Sequence, residues 1–300
     1  MILDIRIYLV IALFAVVCLS LIAYNLLALY QYRANVIHRV KNWKARKLRK
    51  TKKLMAYAHA LKSTADTPIY GGYIISGLAK HYSKKHSACR AVYANFVANF
   101  PHLVDTDRED VIEILISYID NNIYCRNNVL RALCGLGTAQ GVVKALHTIN
   151  NTYFLHHQLL TDALCTFTGN REALAELLWE ESDNWNSMLQ TGVVDFITQT
   201  THRFGADFMP LLSNPSTNEN VRAAAVRYYG TYVYAPARPM LIELLQNPTY
   251  INVAAQAAQA LDKYPAQDTY EALLTAQHSP FWPIRNVVSK ILQIKSKIAA

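Results

Sequence analysis

Apolar and polar residues follow two different patterns along this chain of 300 residues. From Ile7 to Tyr30 the positions are almost continuously apolar, with Asn25 the one strongly polar interruption. About 24 residues at a rise of about 1.5 Å make a helix of about 36 Å, enough to cross a hydrocarbon layer about 30 Å thick. From residue 68 onward the apolar positions instead recur with helical spacing, in short stretches. Breakers part them, such as SNPSTNEN at 213–220, QNPTY at 246–250 and QHSPFWP at 277–283. The expectation is an all-α chain, with one transmembrane helix followed by many short amphipathic helices.

The polar residues next to the apolar run set its orientation. Residues 33–53 hold ten Lys or Arg and no Asp or Glu. Lys and Arg beside a span are retained on the cytoplasmic face. The expected layout is a single-pass anchor over 1–32 in the cell (cytoplasmic) membrane, with its N-terminus outside. A basic juxtamembrane helix or linker over 33–67 and a cytosolic domain over 68–300 would follow. A cleaved secretory signal fits poorly, because the charges follow the apolar core, and Val17 before Cys18 argues against a lipoprotein signal. Topology control alone accounts for the basic cluster. The functional addition is adhesion to anionic lipid headgroups through Lys44, Arg46, Lys47, Arg49, Lys50, Lys52 and Lys53, at about 1 kcal/mol per charge. Trp43 and Leu48 would help such a segment lie in the interface.

The amphipathic stretches repeat. CRNNVLRALCGLG begins at Cys125, VRAAAVRYYG at Val221, VAAQAAQAL at Val253 and IRNVVSKIL at Ile284, with starts 96, 32 and 31 residues apart. Since 96 is three intervals of 32, two weaker copies fall in the gap, from His156 and Met188, and an earlier one starts at Cys89. Before most copies lies another short amphipathic stretch: Asp107–Ile119, Ala139–Ile149, Glu172–Trp179, Ala206–Leu212, Arg238–Leu245 and Thr269–Ala276. Pro210 and Pro239 sit near the start of two of these, where a missing N–H costs little. The unit is helix–turn–helix, repeated about seven times.

In Val221–Gly230, Val253–Leu261 and Cys125–Gly135 the chain resembles the HEAT-repeat family, whose second helix carries V-R-x-x-A-A-x-A-L-G. The resemblance covers roughly 68–300 and implies an α-solenoid of helical hairpins that serves as a scaffold. His156–His157, Met188–Leu189 and Ala254 depart from it, lacking the family's Arg. Membrane-anchored bacterial members look like accessory subunits of membrane machinery, including polysaccharide-making glycosyltransferases. Other HEAT-like arrays are enzymes acting on bilin chromophores or alkylated DNA.

A single hairpin cannot bury its apolar face alone, so stacked neighbours share one core. Arg90, Arg126, Arg222 and Arg285 recur at the second place of a copy, either as a ladder bonding neighbouring turns or as a row of ligand contacts. The third, fourth and seventh places should avoid the core. They supply the candidate partner-binding face: Asn127, Asn128, Arg131, Gln158, Asp162, Gln190, Thr191, Arg227, Gln256, Gln259, Asn286 and Lys290. Tyr228, Tyr229, Tyr232 and Tyr234 form a second candidate surface, with Tyr229 expected in the core.

The net charge of +9 invites a nucleic-acid reading. Setting aside the basic run and the first 32 residues leaves 19 Lys or Arg against 20 Asp or Glu in 54–300. No basic face remains there for nucleic acid. Five Cys form no C-x-x-C pair and read as small buried hydrophobes of a reducing compartment. No phosphate loop, dinucleotide fingerprint, H-E-x-x-H or G-x-S-x-G occurs. DTDRED at 105–110 reads as a capping box from Thr106 to Glu109, and His156 and His157 point too far apart to share an ion. Asp183, Asn184 and Asn186 belong to a turn. The sequence therefore predicts no enzyme, metal site or cofactor. It predicts a membrane-tethered adaptor for a protein partner that is itself membrane-bound, with a HEAT-like enzyme or a lipid-sensing peripheral module as alternatives.

Overall fold

The structure is a computed structural model that describes residues 16, 19–31, 48–63, 72–104 and 108–299. Every regular element among them is helical. Helix α1 covers 19–31, followed by α2 (Thr51–Ser63), α3 (Gly72–Ser83), α4 (Ser87–Asn99), α5 (Arg108–Ile116), α6 (Ile123–Gly135), α7 (Ala139–Thr152) and α8 (His157–Leu164). Then come α9 (Arg171–Glu180), α10 (Ser187–Thr200), α11 (Met209–Ser213), α12 (Glu219–Thr231), α13 (Arg238–Gln246), α14 (Ile251–Leu261), α15 (Gln267–Ala276) and α16 (Trp282–Ala299).

The breakers of the sequence supply the helix starts. Asn122, Asn170, Asn186 and Asn218 cap α6, α9, α10 and α12, each side chain accepting from amides of the first turn. Thr138 does the same for α7. Gly137 after α6 is in the left-handed region at φ 65°, which a side chain would strain. The Thr106–Glu109 capping box lies partly outside the described residues.

Every copy start identified by spacing falls in or at the cap of an even-numbered helix, from Cys89 in α4 to Ile284 in α16. Even helices pack on even ones in an unbroken row from α2 to α16, and α3, α5, α7 and α9 form a second row, as do α13 and α15. Consecutive helices pair between rows, and Leu, Val and Ala from both fill one continuous core. Of the stretch expected as one helix over Ala206–Leu212, residues 206–208 form a turn and only 209–212 are helical, within the five-residue α11; a 3-10 turn, Arg203–Gly205, precedes them. The Tyr228 hydroxyl accepts from the Phe204 amide at 2.9 Å, which anchors that turn.

One expectation about the N-terminal region changes. Leu48 does not lie at an interface: it is buried, and its carbonyl accepts from the Tyr82 hydroxyl at 3.0 Å. With Leu54 also buried and α2 packed on α4, residues 48–63 extend the even row upstream of the first copy. Among the described residues no helix is long and apolar enough to cross a membrane. Of the apolar run only residue 16 and α1 are described, and the rest of the expected span lies outside the described residues. Along α1, Leu19, Leu21, Ile22, Leu26, Leu27 and Leu29 are all more than half exposed, and Asn25 donates back to the Leu21 carbonyl.

Candidate functional site

The second-place arginines are fasteners of the fold. Arg126 is buried, and its guanidinium donates to the carbonyls of Asp120 at 2.6 Å and Phe154 at 2.7 Å, tying the turn before α6 to the turn before α8. Arg222 donates to Asn214 O at 2.5 Å and lies over the Tyr250 ring. Arg285 reaches the Ser279 and Pro280 carbonyls, and Arg90 pairs with Asp120 at 2.7 Å. Tyrosines work the same way. Tyr228 and Tyr229 are fully buried, and the Tyr229 hydroxyl donates to Gly205 O at 2.7 Å, so these two offer no hot-spot surface. Tyr232 and Tyr234 are half-buried.

The third, fourth and seventh places divide. At the seventh, Arg131, Asp162, Gln259 and Lys290 are exposed, and Arg227 is half-buried. Gln158 at the third is exposed, while Asn127, Gln190 and Asn286 are half-buried. The fourth place faces the preceding even helix. Asn128 donates to Ala91 O on α4 at 3.2 Å. Thr191 is buried and bonds Ser187 O, a correction to its expected place on the open face. Lys44, Arg46 and Lys47 lie outside the described residues; Arg49, Lys50, Lys52 and Lys53 are exposed.

Gln158, Asp162 and Arg227 come together in one groove of about 460 Å³ across α8, α10 and α12. At its centre the Arg227 guanidinium grips Asp195 with three N–H···O bonds of 2.7–3.1 Å, and it also donates to Gln256 on α14 at 3.2 Å. Arg227 and Gln256 are therefore held within the row rather than free for a ligand. Sequence reasoning missed Asp195, His157, Thr198 and Gln199, which line the same groove. A signal existed for Asp195, which lies 32 residues before Arg227, one repeat interval. The pairs Lys80–Asp110, Arg90–Asp120 and Lys144–Glu113 have the same kind of spacing, 30, 30 and 31. Opposite charges one interval apart face each other across adjacent units.

His157 Nδ1 lies 3.4 Å from Asp195 Oδ2, out of hydrogen-bond alignment. Contrary to the expectation that the two rings point apart, its neighbour His156 stacks on it at 4.5 Å between ring centroids, because His156 is the extended cap residue of α8, accepting through Nδ1, rather than a residue within the helix. The Thr161 hydroxyl is engaged with the carbonyls of His157 and Gly192. The Asp195 carboxylate is neutralised by Arg227, so the groove offers amides, hydroxyls, the His157 ring, the exposed Asp162 carboxylate and one compensated charge pair. That chemistry suits hydrogen bonding to a polypeptide. Among the described residues no group of His, Cys, Asp or Glu could hold a metal ion. The described cysteines are free, and burial pushes the Cys125 and Cys134 thiols up to about 11 and about 12, which disfavours the reactive thiolate.

Burial holds the His157 imidazolium pKa below its ordinary value; His156 and Arg227 add to the depression, and Asp195 opposes it. The folded protein thus binds this proton less tightly than the unfolded chain does. The stability that His157 contributes is present above about pH 6.5 and is lost as pH falls from there toward the folded pKa. Arg227→Met removes the repelling charge and releases Asp195, so the His157 midpoint in an NMR titration should rise. An unchanged midpoint would separate His157 electrostatically from the pair. Searches of protein-family models, of curated proteins and of solved structures find no match to this chain.

Proposed function

We propose that the chain is a non-enzymatic, membrane-anchored adaptor whose helical array is a HEAT-like α-solenoid. The partner is a protein, itself held in the membrane, that docks on the open side of the even-helix row. The observation that carries this reading is the groove across α8, α10 and α12, where exposed Gln158 and Asp162 flank a braced Asp195–Arg227 pair. Row-on-row packing supports the solenoid, with the even row unbroken from α2 to α16. The apolar α1 side chains, uncovered among the described residues, support the anchor. An anchor confines the search to the membrane plane and raises the effective concentration of a membrane partner. An accessory subunit of a membrane complex, such as a polysaccharide glycosyltransferase, fits this reading.

The test uses exposed residues that no lattice of the fold requires. Crosslinking and affinity capture from membranes should recover one stoichiometric partner. Changing Arg131, Gln158, Asp162 and Gln259 together should cut that recovery at least tenfold, a loss of about 1.4 kcal/mol or more and so within reach of a single hot-spot contact, without altering the melting curve. Recovery at the wild-type level would place the partner elsewhere.

A further inference from the structure

A second groove, again of about 460 Å³, opens where the start of α2 meets the turn between α3 and α4. Arg49, Lys50, Lys52 and Lys53 line one side, and Lys85 and His86 the other. Lys84 is exposed beside them. The first turns of α2 and α4 carry no acidic residue, so two positive helix ends add to the side-chain charge. Among the described residues Arg49, Lys50, Lys52, Lys53, Lys84 and Lys85 make no ion pair.

The groove is built rather than draped. Buried Leu48 and Leu54 pin the basic segment on both flanks, and the Tyr82 hydroxyl fastens the Leu48 carbonyl. Two stretches of chain some 32 residues apart in sequence are thereby brought together to concentrate positive charge. His81 beside them feels that concentration: burial lowers its pKa, and Lys85, Arg49 and Lys84 each lower it further.

We propose that this groove seats the phosphate of an anionic lipid headgroup, docking the start of the array on the membrane surface. The basic run leading from the apolar segment ends in the groove, which argues for lipid over a soluble phosphate. Lys84 and Lys85 are the deciding residues, because they lie outside the basic run that sets topology. The inference rests on the anchored reading, and the experiment separates the two. Anchoring is read as retention of the full chain in neutral phosphatidylcholine vesicles after an alkaline carbonate wash.

Headgroup binding is read on the full chain in neutral detergent, titrated with short-chain phosphatidylglycerol or phosphatidylcholine, with retained lipid counted by native mass spectrometry. The wild type should prefer phosphatidylglycerol. Lys84→Gln with Lys85→Gln should reduce that preference roughly fivefold for each charge removed, and Lys84→Arg with Lys85→Arg should keep it. Carbonate resistance should not change in either variant. An undiminished preference in the Gln variant overturns the proposal. So does displacement of phosphatidylglycerol by equimolar inorganic phosphate or by a short single-stranded oligonucleotide, which would make the occupant a soluble anion.

Discussion

Arg126→Ala should destabilise the array by about 3 kcal/mol, read as a lower urea midpoint at unchanged slope. The wild-type guanidinium is buried, satisfies the Asp120 and Phe154 carbonyls together and lies 5.2 Å from the Tyr153 ring centroid. Removing it strands two carbonyls, opens a void beside Tyr153 and unties two successive hairpins at once. Arg126→Lys should recover only part of the loss, because an ammonium lacks the planar fork that spans both acceptors. Arg90→Ala supplies the contrast. Its guanidinium is largely buried but pairs with one carboxylate that Ser87 and Asn122 also hold, so its loss should cost about 1.5 kcal/mol, less than at Arg126. Equal losses at the two positions would mean that the carbonyl bonds of Arg126 carry no weight.

That contrast shows what kind of information the repeat pattern held. Spacing located the even helices, because burying one face of each unit against the next forces apolar residues to recur at one interval. It also marked Arg126 and Arg222 as recurrent without saying whether recurrence meant ligand or fastener. The answer depends on which carbonyls the preceding turn presents, and that is set by the turn's path. Thr191 illustrates a different gap. Its place alone does not reveal how closely α10 approaches α8, and that approach removes the fourth place from solvent. The missed Asp195 was legible in principle as the opposite charge one interval before Arg227. Leu48 was read from its basic neighbours, whereas its burial follows from Tyr82, a residue 34 positions away. The groove behind Arg49 and Lys85 likewise needed a long-range contact to become visible.

The close approach of α8 and α10 leads to the second large effect, at Gly192. A β-carbon there would lie 2.8 Å from Leu160 Cδ2 and 3.0 Å from the His157 carbonyl oxygen. The Leu160 side chain is fully buried, and the carbonyl belongs to the α8 backbone, so neither has free space to retreat into. Gly192→Val should therefore destabilise by about 2–3 kcal/mol through overpacking, read by urea unfolding. Gly192→Ala should be milder, since the gain of helix propensity, about 1 kcal/mol, offsets part of the clash. Leu160→Ala should rescue the part of the Gly192→Val loss that comes from the Leu160 methyl, giving a favourable coupling in a double-mutant cycle. The remainder measures the push on the His157 carbonyl. That push moves α8 away from α10 and so separates His157 and Gln158 from Asp195, deforming the groove without changing a groove side chain. In folded Gly192→Val protein, partner recovery should fall as it does in the exposed-face variant. Full recovery with a displaced α8 would show that the partner reads α12 and α14 instead.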